Sequence, residues 1–198
     1  MQISISGKNM DTGVSFQEHA ASALEEVVAK YFKNAISGNV TLEKSDSGFT
    51  VKTRVSLTRR VEMESKGHAN DAHLALDAAI EHAEKRLRRH KRRLKNHRLV
   101  VTEIEEDEVY PAPMKIYAGA EQSSKFTDDQ DGEALPIVAE LEYAIEVLTV
   151  EQAVMRLELG NLTMLMFRNA NHFGLNVVHL REDGTIGWID PRGGRLLG

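Results

Sequence analysis

Cysteine is absent from all 198 residues, which excludes disulfides and thiolate metal sites and fits a reducing compartment. No apolar run approaches the length of a membrane span, so no membrane partner is expected. The opening MQISISGKNM has neither a basic segment nor an apolar core, so no signal peptide is expected and a cytoplasmic location follows. Gly-rich phosphate loops and nucleophile elbows are missing as well. His68, His73, His82, His90 and His97 lie close together in sequence. No pair of them has His-x-x-x-His spacing on one face, and His90 fills an apolar stripe. No catalytic residue, metal site, cofactor or small-molecule substrate is expected, and the chain does not read as an enzyme.

What is present is charge, unevenly placed. Apolar residues make up 41% and charged residues 28%, a composition that folds. The net charge of −5 hides a split. Residues 1–98 hold 18 Lys and Arg against 12 Asp and Glu, a net of +6. Residues 99–198 hold 7 against 18, a net of −11. The positive charge concentrates in Lys85–Arg98, where nine of fourteen residues are basic and none is acidic. An apolar stripe runs through it at spacings of three and four: Ala72, Leu76, Ile80, Ala83, Leu87, His90 and Leu94. The stretch therefore reads as half of a long helix, packed on one side. Lys85, Arg88, Arg89 and Arg92 fall on the opposite face, flanked by Arg86, Arg93 and Lys95, and Lys91 is expected to bind RNA with them. Packing fixes such charges in space, and a fixed positive ridge suits phosphates. Aromatics for stacking bases are lacking, so shape rather than base reading is expected to give specificity.

The elements follow in order. Gln2–Ser6 alternates as a strand, and Ser15-Phe16-Gln17-Glu18 fits a capping box opening a helix. Strands are expected around Val40–Leu42, Phe49–Leu57 and Val61–Met63. Arg59, Arg60 and Lys66 are placed in turns that extend the ridge, and Asn70 is expected to cap the long helix. The order β-α-β-β-β-α gives a two-layer α+β domain over 1–98, like the double-stranded-RNA-binding fold. Residues 99–135 hold ten acidic residues against Lys115 and Lys125, with Pro111 and Pro113, and read as a flexible acidic linker. A coil of that length averages about 35 Å end to end, so the two folded parts need not touch.

Residues 136–198 read as a small β-α-β-β-β unit, with a second capping box at Thr149–Gln152. So small a unit is marginal alone, and its strands are apolar on both faces. A homodimerisation domain is expected, with Met164, Met166, Phe167, Val178, Ile186 and Trp188 at the interface.

The chain resembles the long form of the bacterial hibernation promoting factor, in the ribosome-associated inhibitor family. Asp71-Ala72-His73-Leu74-Ala75-Leu76-Asp77 and Glu84-Lys85-Arg86-Leu87-Arg88-Arg89-His90-Lys91 carry the N-terminal likeness. Asn176-Val177-Val178, Arg181-Glu182-Asp183-Gly184 and Ile186-Gly187-Trp188-Ile189-Asp190-Pro191 carry the C-terminal one. His73 stands where the family usually has Tyr. The resemblance implies that the N-terminal domain binds the small ribosomal subunit and its 16S rRNA, in the channel for mRNA and tRNA. It implies a block of translation in stationary phase or stress, and pairing of ribosomes through a C-terminal homodimer. The rival reading is an RNA-binding regulator of another complex: a double-stranded RNA binder or a transcription modulator.

Overall fold

A computed structural model describes residues 1–97, 109–119 and 137–192. Two four-residue-plus alternations near the start become β1 (Gln2–Lys8) and β2 (Ser37–Ser45), which pair in parallel across the intervening helix α1 (Val14–Tyr31). β3 (Gly48–Ser56) and β4 (Glu62–Ala69) add antiparallel, giving the order β1-β2-β3-β4. The long helix α2 (Ala72–His97) follows. Period-2 alternation sends Val40, Leu42, Val51, Val55 and Met63 to one side of the sheet, where Ala20, Leu24, Leu76, Ala83 and Leu87 of the helices cover them. The expected two-layer β-α-β-β-β-α domain is therefore found.

The helix α2 sits unusually close to the sheet because the residues beneath it are small. A Cβ on Gly67 would lie 2.2 Å from the Ala75 carbonyl oxygen and 2.4 Å from the Ala79 nitrogen. Beside it, the buried hydroxyls of Thr53 and Ser65 are 2.7 Å apart, and Ser65 Oγ donates to the Ala79 carbonyl at 2.7 Å. Polar groups inside a core are tolerated when paired in this way. They fasten α2 to β3 and β4 at one register.

Two caps differ from expectation. The first helix begins at Val14 with Gly13 as its N-cap, at φ 67°, and no side chain caps it. The capping box expected at Ser15 and Glu18 does not form, because the chain turns upstream of it. There Asp11 Oδ1 accepts from the Gly13 amide and Gln17 Nε2 donates to Thr12 Oγ1. At α2 the cap is Asp71, not Asn70: its Oδ1 accepts from the amides of His73 at 2.8 Å and Leu74 at 3.1 Å.

The C-terminal module holds β5 (Val109–Tyr117), β6 (Ile137–Leu148), α3 (Val150–Leu159), β7 (Met164–Asn169), β8 (Leu175–Leu180) and β9 (Ile186–Ile189), in that sheet order. Thr149 and Gln152 form the expected capping box on α3. A core of Leu148, Ala153, Leu157, Phe167 and Val178 lies between α3 and the sheet.

The expectation of a coil throughout 99–135 fails at Val109–Tyr117, which pairs antiparallel with β6 along its length. Pro111 and Pro113 argued for a loop. They are two residues apart, so their missing amides fall on the same side of an edge strand that has only one neighbour, where no partner is lost. Apart from Ala118 and Gly119, the rest of the expected linker lies outside the described residues. Beyond its hairpin with β5, the strand β6 joins β7 in parallel only at Val147 and Leu148.

Candidate nucleic-acid interface

The stripe that packs α2 is Ala75, Leu76, Ala79, Ala83, Leu87 and His90, all buried. Farther along, Leu94 is 39% exposed and does not join the buried stripe. His90 closes the stripe against Phe32, with ring centroids 6.0 Å apart. Burial, then the nearby charges of Arg156 and Arg93, push its pKa down to about 4, so it stays neutral. No proton-sharing role follows from it.

The basic residues divide into three groups. Arg88, Arg92 and Lys95 are exposed and make no hydrogen bond or ion pair among the described residues. Lys85 is exposed as well and pairs one turn back with Glu81 at 2.6 Å. These four form the outward ridge. Lys91 is different: its Nζ donates to the Tyr31 carbonyl at 2.9 Å and lies over the Tyr31 ring. It satisfies a carbonyl at the C-terminus of α1, where a cation is favoured.

Arg86, Arg89 and Arg93 form the third group, and α3 reaches them. Arg86 donates through Nη1 to the Glu158 carbonyl and through Nη2 to Asn161 Oδ1 at 2.7 Å. Arg89 pairs with Glu158 Oε1 at 3.3 Å, and Arg93 with Glu158 Oε2. The folded parts thus touch. The acid that α2 lacks after Glu84 comes from another module, about seventy residues away in the chain. Leu159, at 2% exposure, completes the N-terminal core beside this contact. Arg156 donates to the Arg60 carbonyl and pairs with Glu146 at 3.1 Å. A cleft of about 430 Å³ remains along the seam, lined by His82, Lys85, Arg89, Met155, Leu162 and Leu180.

Away from the helix, Arg59 and Arg60 lie exposed at the β3–β4 turn, as expected. Lys66 does not. It is in β4, opposite Lys52, and its neighbours Ser65 and Gly67 face α2, so its side chain points to the other face of the sheet. It does not extend the ridge. His73 stacks on His19 with centroids 5.3 Å apart and meets the edge of Phe16, joining α2 to α1.

The six residues expected at a dimer interface also separate. Phe167 and Val178 are fully buried in the module's own core, and Ile186 packs against it. They cannot form an outer surface; the sheet is covered on that side by α3. Met164, at 55% exposure, and Met166 point to the opposite face, with Leu175, Val177 and Ile189. That face is largely apolar and exposed at Met164, Leu175 and Ile189, and it also carries His179 and Arg168, the latter stacked on Tyr110. Trp188 is exposed at 53%, but its indole N–H donates to the buried Asn176 Oδ1 at 2.9 Å, which anchors the ring at the margin on the helix side.

No helix among the described residues is long and apolar enough to cross a membrane. Residues 3–95 match the family model described as Sigma 54 modulation protein / S30EA ribosomal protein, and residues 132–187 match the model of that family's C terminus. A ribosome hibernation promotion factor of Rhizobium meliloti (strain 1021) is 38% identical over 192 residues, covering 96% of this chain and 97% of the relative. Its namesake in Bradyrhizobium diazoefficiens is 31% identical and covers 100% and 98%. The chain belongs to the ribosome hibernation promotion factor family, whose members are ribosome-associated factors of translation regulation and not enzymes. Among solved structures, a ribosomal subunit interface protein from Coxiella burnetii is similar, at 14% identity and a TM-score of 0.41, over 46% of this chain and 99% of that one.

Proposed function

We propose that the chain silences ribosomes in the cytoplasm during stationary phase or stress. Its N-terminal domain seats on the small subunit, in the channel that mRNA and tRNA use, through 16S rRNA phosphates. The observation that carries this reading is the row Arg88, Arg92 and Lys95: exposed, unpaired among the described residues, and carried on a helix clamped to a sheet. Phosphate contacts of this kind position a protein without reading sequence. The C-terminal module, through the open face of Met164, Met166, Val177 and Ile189, pairs with a second copy and so joins two ribosomes. Large exposed apolar patches on a sheet mark such contacts.

Sucrose gradients of ribosomes with the full chain test both halves. Reversing Arg88, Arg92 and Lys95 to Glu should remove the chain from small subunits. Replacing Met164 and Ile189 by Glu should leave subunit binding intact and abolish paired ribosomes. Unchanged co-sedimentation of the first variant, or paired ribosomes with the second, would refute the respective half. The description of the matched family also names sigma 54 modulation. If that activity dominates, the chain will run with RNA polymerase or free of ribosomes in the same gradients.

A further inference from the structure

Glu158 brings three oxygens to three arginines of α2. Its two carboxylate oxygens meet Arg89 and Arg93, and its carbonyl oxygen meets Arg86, which also holds Asn161 Oδ1. The carbonyl belongs to the last turn of α3, where unsatisfied oxygens and the negative end of the helix dipole both attract cations. Arg86, Arg89 and Arg93 are spaced by three and four, so they present one edge of α2 to this end. The contact is more than electrostatic. Leu159, next to Glu158, is sealed into the N-terminal core, and Met155 is buried one turn earlier. A chain carrying +6 in its first half and −11 in its second has the charge complementarity such a contact needs.

We infer that the cationic edge Arg86–Arg89–Arg93 is a surface with two mutually exclusive occupants, a polyanion and the α3 end of the same chain. This rests on the reading of α2 as a phosphate-binding helix. In the free chain α3 is docked, and of the cations on α2 the outward ridge Lys85, Arg88, Arg92 and Lys95 is left available. Full engagement of the helix displaces Glu158, and α3 leaves with it. Linkage makes the effect reciprocal: docking weakens polyanion binding by the factor by which the polyanion weakens docking. If the docked form holds nine chains in ten, releasing it tightens binding about tenfold. The open face of the C-terminal sheet lies on the side away from α3, so docking leaves it uncovered.

The test uses the full chain with dyes on Asp46→Cys and Glu182→Cys, both exposed and outside the seam, diluted into excess unlabelled protein. The lack of native cysteine makes the labelling specific. Energy transfer reports docking, and titration with isolated small ribosomal subunits reports affinity. Glu158→Ala removes the carboxylate without adding charge; Glu142→Lys, on the exposed part of β6, adds charge away from the seam. The expected result is lower transfer and about tenfold tighter binding for Glu158→Ala, no such change for Glu142→Lys, and a fall in wild-type transfer when subunits are added. Equal transfer and equal affinity for wild type and Glu158→Ala would overturn the competition and leave the ridge standing. Lower transfer in Glu158→Ala with no subunit binding by any form would instead overturn the ridge reading, and the competition with it.

Discussion

The two modules solve the problem of a small core differently. The N-terminal domain buries sixteen apolar residues of its own between two helices and four strands, and its exposed apolar residues are scattered. Among its described residues the C-terminal module gathers only five into a cluster of its own, under one short helix. It lends Leu159 to its neighbour and leaves Met164, Leu175 and Ile189 exposed on one face. The first has a large core of its own, to which its neighbour adds only Leu159. The second is completed by what it touches: the N-terminal domain on one side and, on our proposal, a second copy on the other. In this chain the stable part carries the charge and the dependent part carries the contacts.

The sharpest way to break that contrast is to hollow out the smaller core. Phe167→Ala should cost about 3–5 kcal/mol, which a five-residue core cannot absorb. Urea denaturation should then show the C-terminal module unfolding ahead of the N-terminal domain. A single transition for the variant would mean that the modules fold as one unit. A smaller effect comes from His90, at the seam. Its folded pKa of about 4 lies below the ordinary 6.5, so protonation favours the unfolded chain. Stability from this group is complete above pH 6.5 and is lost as pH falls toward 4, by at most about 3 kcal/mol. His90→Met should flatten the dependence of stability on pH in that window. The mildest change is Asp71→Ala, which removes the α2 cap and should cost about 1 kcal/mol, read as a shift of the N-terminal transition alone.

Much of the fold was legible because it obeys local rules. Alternation found the strands of the first sheet, and three-and-four spacing found the buried side of α2. The Thr149 box was visible as a four-residue pattern. The strand β5 was hidden because prolines and acidic neighbours dominate its composition. Its alternation of Tyr110, Ala112 and Met114 becomes meaningful only once β6 lies beside it. The inward placement of Phe167 and Val178 depends on which face α3 covers, which a strand apolar on both sides does not reveal. The site was half legible for a similar reason. Local spacing put Lys85, Arg88 and Arg92 outward, but it put Arg89 with them, and nothing near Arg86, Arg89 and Arg93 in sequence announced Glu158. Only the opposite charge of the two halves hinted at it. Lys91 likewise looked like ridge until the end of α1 came to rest beneath it.

The fastening of α2 through Thr53, Ser65 and the Ala79 carbonyl has one more consequence. A cylinder lying on a smooth greasy bed could roll or creep, and its outer charges would blur into an average. A hydroxyl peg over a glycine notch keys the shaft to its bearing. The rows of guanidinium and ammonium groups then hold a constant phase relative to the sheet, and a ligand meets a template of fixed pitch rather than a cloud of positive potential.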